Sequence, residues 1–266
     1  MNTTKKTRGL LSRLLAEPAM EDLDLDAPQT TTAARALIQS KPFLRRVYDD
    51  WYARLSAALP SSGGPVLELG SGGGFLPTVA GGVIASDIQP LPHVDVVIDA
   101  GRLPFRSGTL RGIAMTNVLH HLPDSAAFFA DAARCLAPGA AIVMIEPWVT
   151  PWSRWIYGSF HHEPFDPDAA SWSMTAGQPL SMANGALPWI IFHRDRRLFD
   201  QKFPELEVVE VRPLMPIVYL LSGGLSMRAL LPGWLYPCCA WFDRALVSVM
   251  PWTAMFAQIV VRRRPV

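Results

Sequence analysis

"VLELGSGGGFLP", residues 66–77, decides how the rest of the chain is read. Val66 to Leu69 form a short, mainly apolar run that enters Gly70-Ser71-Gly72-Gly73-Gly74 without a spacer. Glycine has no Cβ, so such a loop lets the backbone come close to a ligand. A glycine loop after the first strand of an open α/β sheet lies at the carboxyl end of the strands, where these folds bind ligands.

The surrounding sequence supports a sheet. From residue 65 to 147, short apolar runs alternate with turn or helix signals. "PVLEL" reads as the first strand, followed by the loop and a short helix. "GVIASDI", "VDVVID", "LRGIAMTNVL" and "AAIVMIEP" read as the second to fifth strands. Residues 124–137 read as a helix capped by Asp124 or Ser125 and ended by Pro138-Gly139, with Phe128, Phe129, Ala132 and Leu136 inward. Strands that are apolar without alternation, separated by helices, indicate a parallel sheet covered on both faces.

Upstream, Pro42 opens a helix over 42–59. Phe43, Leu44, Val47, Tyr48, Trp51, Tyr52, Leu55 and Leu59 recur at helical spacing on one face. Residues 22–33 are polar, contain a proline and a threonine run, and read as a linker. "KKTRGLLSRLLAEPAM" begins like an export signal, but Arg13 interrupts it and Glu17, Glu21 and Asp22 follow, so a short basic amphipathic helix is expected. Downstream the texture changes, because eight of nine tryptophans lie beyond residue 147. "FPELEVVEVRP" and "TAMFAQIVVRRR" still read as strands, the latter closing the sheet. The chain thus divides into an N-terminal helical segment (1–60), a ligand-binding core (61–147), and a cap insert with the last strands and an apolar C-terminal region (148–266).

Composition bounds the function. Half of the 266 residues are apolar and 18% are charged, which suits a large folded core. A net charge of +1 gives no electrostatic case for nucleic acid. Cys135, Cys238 and Cys239 form neither a disulfide framework nor a metal spacing, so no metal and a reducing, cytoplasmic setting are expected.

Three nucleotide readings compete for the loop. A P-loop needs Gly-Lys-Ser/Thr, and this loop ends Gly74-Phe75-Leu76. A dinucleotide fingerprint counted from Gly70 and Gly72 needs a third glycine where Phe75 stands, which disfavours an NAD-dependent oxidoreductase. What stands here is Glu68-x-Gly70-x-Gly72-x-Gly74. That spacing resembles the first motif of the class I S-adenosylmethionine-dependent methyltransferases. "IDAGRLPFRSGTLRGIAMTNVLHHLPDSAAFFADAARCLAPGAAIVMIEPW" is similar to the type 11 methyltransferase pattern, so the likeness covers roughly residues 64–147. Two departures are visible. Asp87 follows Glu68 by nineteen residues, about one helical turn less than the family shows, and Pro77 sits in the shortened helix. A long insert also separates the sixth and seventh strands.

The resemblance implies a Rossmann-like, doubly wound seven-stranded α/β sheet with an aromatic-rich C-terminal cap. It implies S-adenosyl-L-methionine as cofactor, held by Glu68, Gly70, Ser71, Gly72, Gly74, Asp87, Ile88, Asp99, Ala100 and Asn117. Asp87 takes the ribose position, Asp99 with the Ala100 backbone the adenine position, and Asn117 to Leu122 the segment beside the methyl. Candidate catalytic groups are His120, His161 and His162. "YGSFHHEPFDP" places the latter pair beside Glu163, and a histidine next to a carboxylate can be a tuned base. The pair could instead serve structure.

The acceptor is expected to be small and apolar or lipid-linked. Trp152, Trp155, Ile156 and Phe160 recur at helical spacing and read as either cap packing or a wall for it. Residues 214–260 carry only Arg228, Asp243 and Arg244 as charges. Their uncharged runs are broken by glycine or proline and fall short of a membrane span. A peripheral membrane contact through this C-terminal third remains an expectation, with Arg262, Arg263 and Arg264 available to anionic lipid. A buried cap or dimer surface is its rival, and a non-catalytic membrane-surface module is the rival to an enzyme.

Overall fold

The structure, a computed structural model, describes residues 16–20, 24, 27–61, 63–160, 163–174 and 182–265. The expected N-terminal amphipathic helix, and the His161–His162 pair, lie outside the described residues except for the segment 16–20.

Two helices precede the sheet, α1 (Pro28–Ser40) and α2 (Pro42–Ala58). Each opens on a proline, whose missing N–H costs nothing in a first turn. The polar reading of 22–33 as a linker is therefore corrected, because the threonine run Thr30-Thr31-Thr32 lies within α1. Thr32 Oγ1 donates to the Pro28 carbonyl one turn back, so its hydroxyl is satisfied within the helix. The apolar face read for α2 is buried throughout, from Phe43 to Leu59.

The strands β1 (Val66–Leu69), β2 (Val83–Asp87), β3 (Val96–Val97), β4 (Leu110–Thr116) and β5 (Leu136–Pro147) follow. Between β4 and β5 runs α3 (Ser125–Cys135), and Asp124 caps it by accepting from the Ala126 and Ala127 amides. Beyond β5 come α4 (Pro151–Phe160), a helical stretch of Leu187–Trp189 and Ile190–Arg194, α5 (Arg196–Lys202), β6 (Leu206–Leu214), α6 (Val218–Ser222), α7 (Tyr236–Val249) and β7 (Phe256–Arg263). One seven-stranded sheet has the order β3-β2-β1-β4-β5-β7-β6. The first five strands pair in parallel, and β7 runs antiparallel to both β5 and β6. This is the doubly wound sheet that the resemblance implied.

Three expectations shrink. The helix after the glycine loop is one 3-10 turn, Leu76–Thr78, and Gly81-Gly82 follow almost at once. The third strand is two residues long, at the sheet edge, after a segment holding Pro90 and Pro92. The helix predicted to reach residue 137 stops at Cys135, and the chain enters β5 directly. Pro138-Gly139 falls inside that strand, where pairing with β4 jumps from Leu110–Leu136 to Gly112–Ala141.

Alternate residues of each strand feed two cores. Leu67, Ile113, Met115, Ile142 and Met144 join Phe128, Phe129, Phe192 and Phe199 on one face. Val66, Ala114, Val143 and Ile145 join Phe43, Val47, Trp51 and Leu55 on the other. Residues facing both ways are buried, which is why these strands show no polar alternation.

The insert between β6 and β7 lies against α2. Phe43 meets Tyr236 edge-on at 5.3 Å, and Trp51 stacks on Tyr219 at 5.7 Å. Lys41 is buried between the helices, donates to the Gly224 and Met227 carbonyls and pairs with Glu17 at 2.8 Å. One ammonium thus ties the insert to the N-terminal segment.

A candidate active site at the carboxyl ends of the strands

At the end of β1, Gly70 adopts φ 63°. A Cβ there would lie 2.5 Å from Val118 Cγ2, so glycine is required for both its conformation and the approach of the β4 end. The Ser71 amide donates to the Ser86 carbonyl of β2, and Ser71 Oγ donates to Glu68 at 2.7 Å. A Cβ on Gly74 would meet the Tyr52 hydroxyl at 2.1 Å, so this glycine serves packing against α2 as well as the loop. Arg35 of α1 reaches the Gly74 carbonyl from behind. Glu68 is 4% exposed, and burial raises its carboxyl to about 7, against the pull of Ser71 and Arg35.

Asp87 closes β2 with both oxygens already oriented. The Gly72 amide donates to Oδ2 at 2.9 Å and the Gln89 amide to Oδ1 at 3.0 Å. Thr31 of α1 donates to Gln89, linking the first helix to the same corner. Asp99 is exposed beyond the short β3 and accepts from the Gly101 amide. Glu68, Gly70, Ser71, Gly72, Gly74, Asp87, Ile88, Asp99, Ala100, Asn117 and His120 all line one cavity of about 440 Å³. Every cofactor position read from the sequence is therefore brought to a single cleft.

The opposite end of the cleft starts at Asn117, which has φ 56°, a conformation asparagine tolerates better than most residues. Its Oδ1 is buried and finds no hydrogen-bond partner among the described residues. Next, Leu119–His121 form one turn, and Glu146 at the end of β5 organises it. Glu146 is fully buried; its Oε1 accepts from the Val118 and Leu119 amides at 2.8 and 2.7 Å. Its Oε2 lies 2.6 Å from His120 Nδ1. Glu163 approaches from the loop after α4, with Oε2 3.7 Å from His120 Nε2 and Oε1 3.9 Å from His121 Nε2. Burial alone would lower the His120 imidazole, but Glu146 and Glu163 overcome it and raise it to about 9. Burial and then the neighbouring His120 push His121 down to about 4.

Glu146 was missed by reading the sequence, whereas Glu163 was read as the partner of His161 and His162, and His121 as part of the segment beside the methyl. Glu146 left a signal, a lone acid at the carboxyl end of the otherwise apolar "AAIVMIEP". The sequence placed Glu163 in a loop near the cleft, but only the fold pairs it with His120 and His121. Of the α4 aromatics, the wall residue is Tyr157. Trp155 and Phe160 are exposed, and Trp152 donates its indole N–H to the Pro216 carbonyl. Tyr157, Phe165, Tyr219, Leu225 and Phe256 give this end its apolar walls. Burial pushes the Tyr219 phenol up to about 12, so it faces the cavity neutral.

At the glycine-loop end the charge pattern is one-sided. Glu68, Asp87 and Asp99 line it, and no lysine or arginine lines the cavity among the described residues, whereas at the other end the raised His120 imidazole faces Glu163. The glycine-loop end thus favours a ligand with positive charge over one carrying phosphates.

Residues 41–176, slightly more than half of the chain, match a family described as a methyltransferase domain, and the chain belongs to that family. No curated protein matches it by sequence. Among solved structures it is similar to geranyl diphosphate C-methyltransferase from Streptomyces coelicolor, in complex with Mg2+, geranyl diphosphate and S-adenosylhomocysteine. That likeness has 14% identity, covers 94% of this chain and 91% of that one, and has a TM-score of 0.47. Similarity extends to phosphoethanolamine N-methyltransferase 2 of Haemonchus contortus in complex with S-adenosylmethionine, at 10% identity, 90% and 58% coverage, and TM-score 0.48. A Haloferax volcanii methyltransferase in complex with the Trm112 activator is 14% identical, with 88% and 98% coverage and TM-score 0.47. The family assignment rests on the domain match, and the sheet order agrees with it.

Proposed function

We propose that the protein transfers a methyl group from S-adenosylmethionine to a small, largely apolar or lipid-linked acceptor. One observation carries this reading. A single cavity joins the glycine loop, Asp87 and Asp99 to the His120 end, and its glycine-loop end is lined by carboxylates with no lysine or arginine among the described residues. The donor's sulfonium and ammonium groups suit that lining, whereas the phosphates of a dinucleotide at the glycine loop would lie beside Asp87 and Asp99.

When bound, S-adenosylmethionine supplies an electrophilic methyl on a good leaving group. The chain's own residues do the placing. Asp87, fixed by the Gly72 and Gln89 amides, presents its remaining lone pairs to ribose hydroxyls. Asp99 and the Ala100 backbone meet the adenine edge, and the loop backbone takes the amino acid part. Asn117 Oδ1, buried without a partner, is directed to donors that a ligand brings. His120, fixed by Glu146, flanks the methyl, and the tyrosine and phenylalanine walls hold the acceptor in line. Holding the acceptor about 3–3.5 Å from the methyl supplies much of the rate in such a displacement. His161 and His162 stay candidate bases from the sequence alone.

The acceptor class follows from the walls. Its body is apolar, to match the walls formed by Tyr157, Phe165, Tyr219 and Phe256. The cap that walls the cavity with Tyr219 and Leu225 also bears a row of exposed aromatic side chains, which supports delivery of the acceptor from a membrane surface. Calorimetry with S-adenosylhomocysteine, S-adenosylmethionine and NAD tests the donor reading. Micromolar binding of the first two, with none for NAD, is the expected result, followed by label transfer from methyl-labelled donor to apolar alcohols, thiols or quinols. Binding of NAD alone would replace the reading with an oxidoreductase.

A further inference from the structure

We propose that His120, His121 and Glu163 form a binding site for a first-row divalent cation, with zinc as the best-fitting probe, at the acceptor end of the cavity. The three side chains each offer a ligand atom, and these atoms lie within 4.8 Å of one another. His120 Nε2 and His121 Nε2 face different oxygens of the same carboxylate, at 3.7 and 3.9 Å. Tetrahedral zinc, with bonds of about 2.0–2.1 Å, spaces its ligands about 3.4 Å apart, so each histidine–Glu163 pair needs to close by only a few tenths of an ångström, and no pair of ligand atoms in the set starts more than 4.8 Å apart.

The outer contacts give the independent argument. A histidine that ligates a metal through one nitrogen commonly donates its other N–H to a carboxylate or a backbone carbonyl, which fixes the tautomer and the ring plane. Both histidines do so here. His120 Nδ1 meets Glu146 Oε2 at 2.6 Å, and His121 Nδ1 meets the Met182 carbonyl at 3.3 Å. Each ring therefore presents Nε2 to Glu163. Glu146 is itself held by two backbone amides, so the outer shell is rigid. Adjacent histidines diverge on an extended strand, but here they lie on one tight turn with ring centroids 4.2 Å apart.

Among the described residues three protein ligands leave one coordination position, and all three ligands line the cavity. That is the pattern of a catalytic rather than a structural zinc. The inference rests on the methyl-transfer reading and deepens it. An acceptor hydroxyl or thiol that coordinates the cation loses its proton to solvent more readily. The resulting oxygen or sulfur lone pair forms the new bond to the methyl carbon as the carbon–sulfonium bond breaks, and that electron pair stays on the departing sulfur. The preferred acceptors are thus ionisable hydroxyls or thiols on an apolar body.

The test uses the full-length protein, stripped with a chelator and titrated with Co2+ by visible absorption and with Zn2+ by calorimetry. S-adenosylhomocysteine affinity is measured on the same samples. The expected result is one equivalent of metal per chain, with affinity reduced at least tenfold in Glu163→Gln and in His121→Ala and, in His121→Ala, cofactor affinity within twofold of the parent. Metal-free protein that binds S-adenosylhomocysteine but takes up neither ion overturns the site and leaves the methyltransferase reading intact. Binding that both substitutions leave unchanged overturns it equally, because the ion then sits elsewhere. Loss of cofactor binding in the parent would count against the proposed function instead.

Discussion

Asp87 is oriented by the chain itself. Its two oxygens each accept one backbone amide, from Gly72 and Gln89. The carboxylate therefore spends little conformational entropy on meeting a ribose. On the proposed role Asp87→Ala would remove the ribose contacts, and it also leaves those two amides without their acceptor. Charge-assisted hydrogen bonds are worth about 1.5–3 kcal/mol, so S-adenosylhomocysteine affinity should fall roughly tenfold to hundredfold, read by calorimetry. A loss under threefold would remove Asp87 from the ribose role. This residue was legible in the sequence because it ends an apolar strand beside a glycine loop, and strand ends are the positions a local pattern can fix. The pairing of Glu163 with His120 and His121 was not legible, because it depends on how the loop after α4 folds back over the β4 end. Gly74 shows a third case. Its spacing was readable, but the Tyr52 hydroxyl that occupies the place of a Cβ comes from a helix no local pattern connects to the loop.

Among elements, the clearest test is the contact between α6 and α7. Asp243 of α7 is buried, and its Oδ1 accepts from the Ile217 and Val218 amides, capping the start of α6. Burial raises its carboxyl from the ordinary 3.8 to about 6; the two amides and Arg244 oppose the rise, and Asp50 adds to it. The folded state therefore binds this proton more tightly than the unfolded chain. Its contribution is complete below about pH 3.8 and is lost as pH rises through about 6. The loss is on the order of 3 kcal/mol, at 1.36 kcal/mol for each unit. Asp243→Asn keeps an oxygen acceptor for the two amides but cannot ionise. Denaturant titrations at pH 4, 5, 6 and 7 should show the parent losing stability across that window relative to the variant. Parallel curves for the two would place the Asp243 carboxyl at its ordinary value. Glu68, also raised, acts on both proteins alike and cancels in the comparison. The same scale shows why some element boundaries were misread. Thr30 to Thr32 look like loop residues until their place in α1 is seen, and the turn after Thr78 is cut short by Gly81-Gly82, which a count of apolar spacing ignores.

For the whole molecule, the question is what covers the outer face of the cap. Trp234 is 76% exposed, Trp241 68%, Val249 75% and Trp252 52%. Helix α7 buries Tyr236, Ala240 and Asp243, which leaves its other side to carry Trp241, Phe242 and Val249 outward. Soluble surfaces seldom gather aromatic residues in this way without a partner. The charges decide which partner fits. Across residues 214–260 the charged residues are Arg228, Asp243 and Arg244, and Asp243 is the buried one, so both exposed charges are positive. Tryptophan with arginine suits the headgroup region of an anionic bilayer. No helix among the described residues is long and apolar enough to cross a membrane, so the proposal is of a contact at the interface. The same cap supplies Tyr219 and Leu225 to the cavity wall, so docking would place an apolar acceptor near its site. Flotation with vesicles of phosphatidylcholine and phosphatidylglycerol should carry the protein upward, more so as the anionic fraction grows and less so in high salt. Replacing Trp234, Trp241 and Trp252 together by serine should cut the floated fraction at least tenfold while S-adenosylhomocysteine affinity stays unchanged, because none of the three lines the cavity. Protein that stays with the soluble fraction at every lipid composition refutes the membrane reading, and a sedimenting dimer that the same triple substitution dissociates would show that a second copy covers this face.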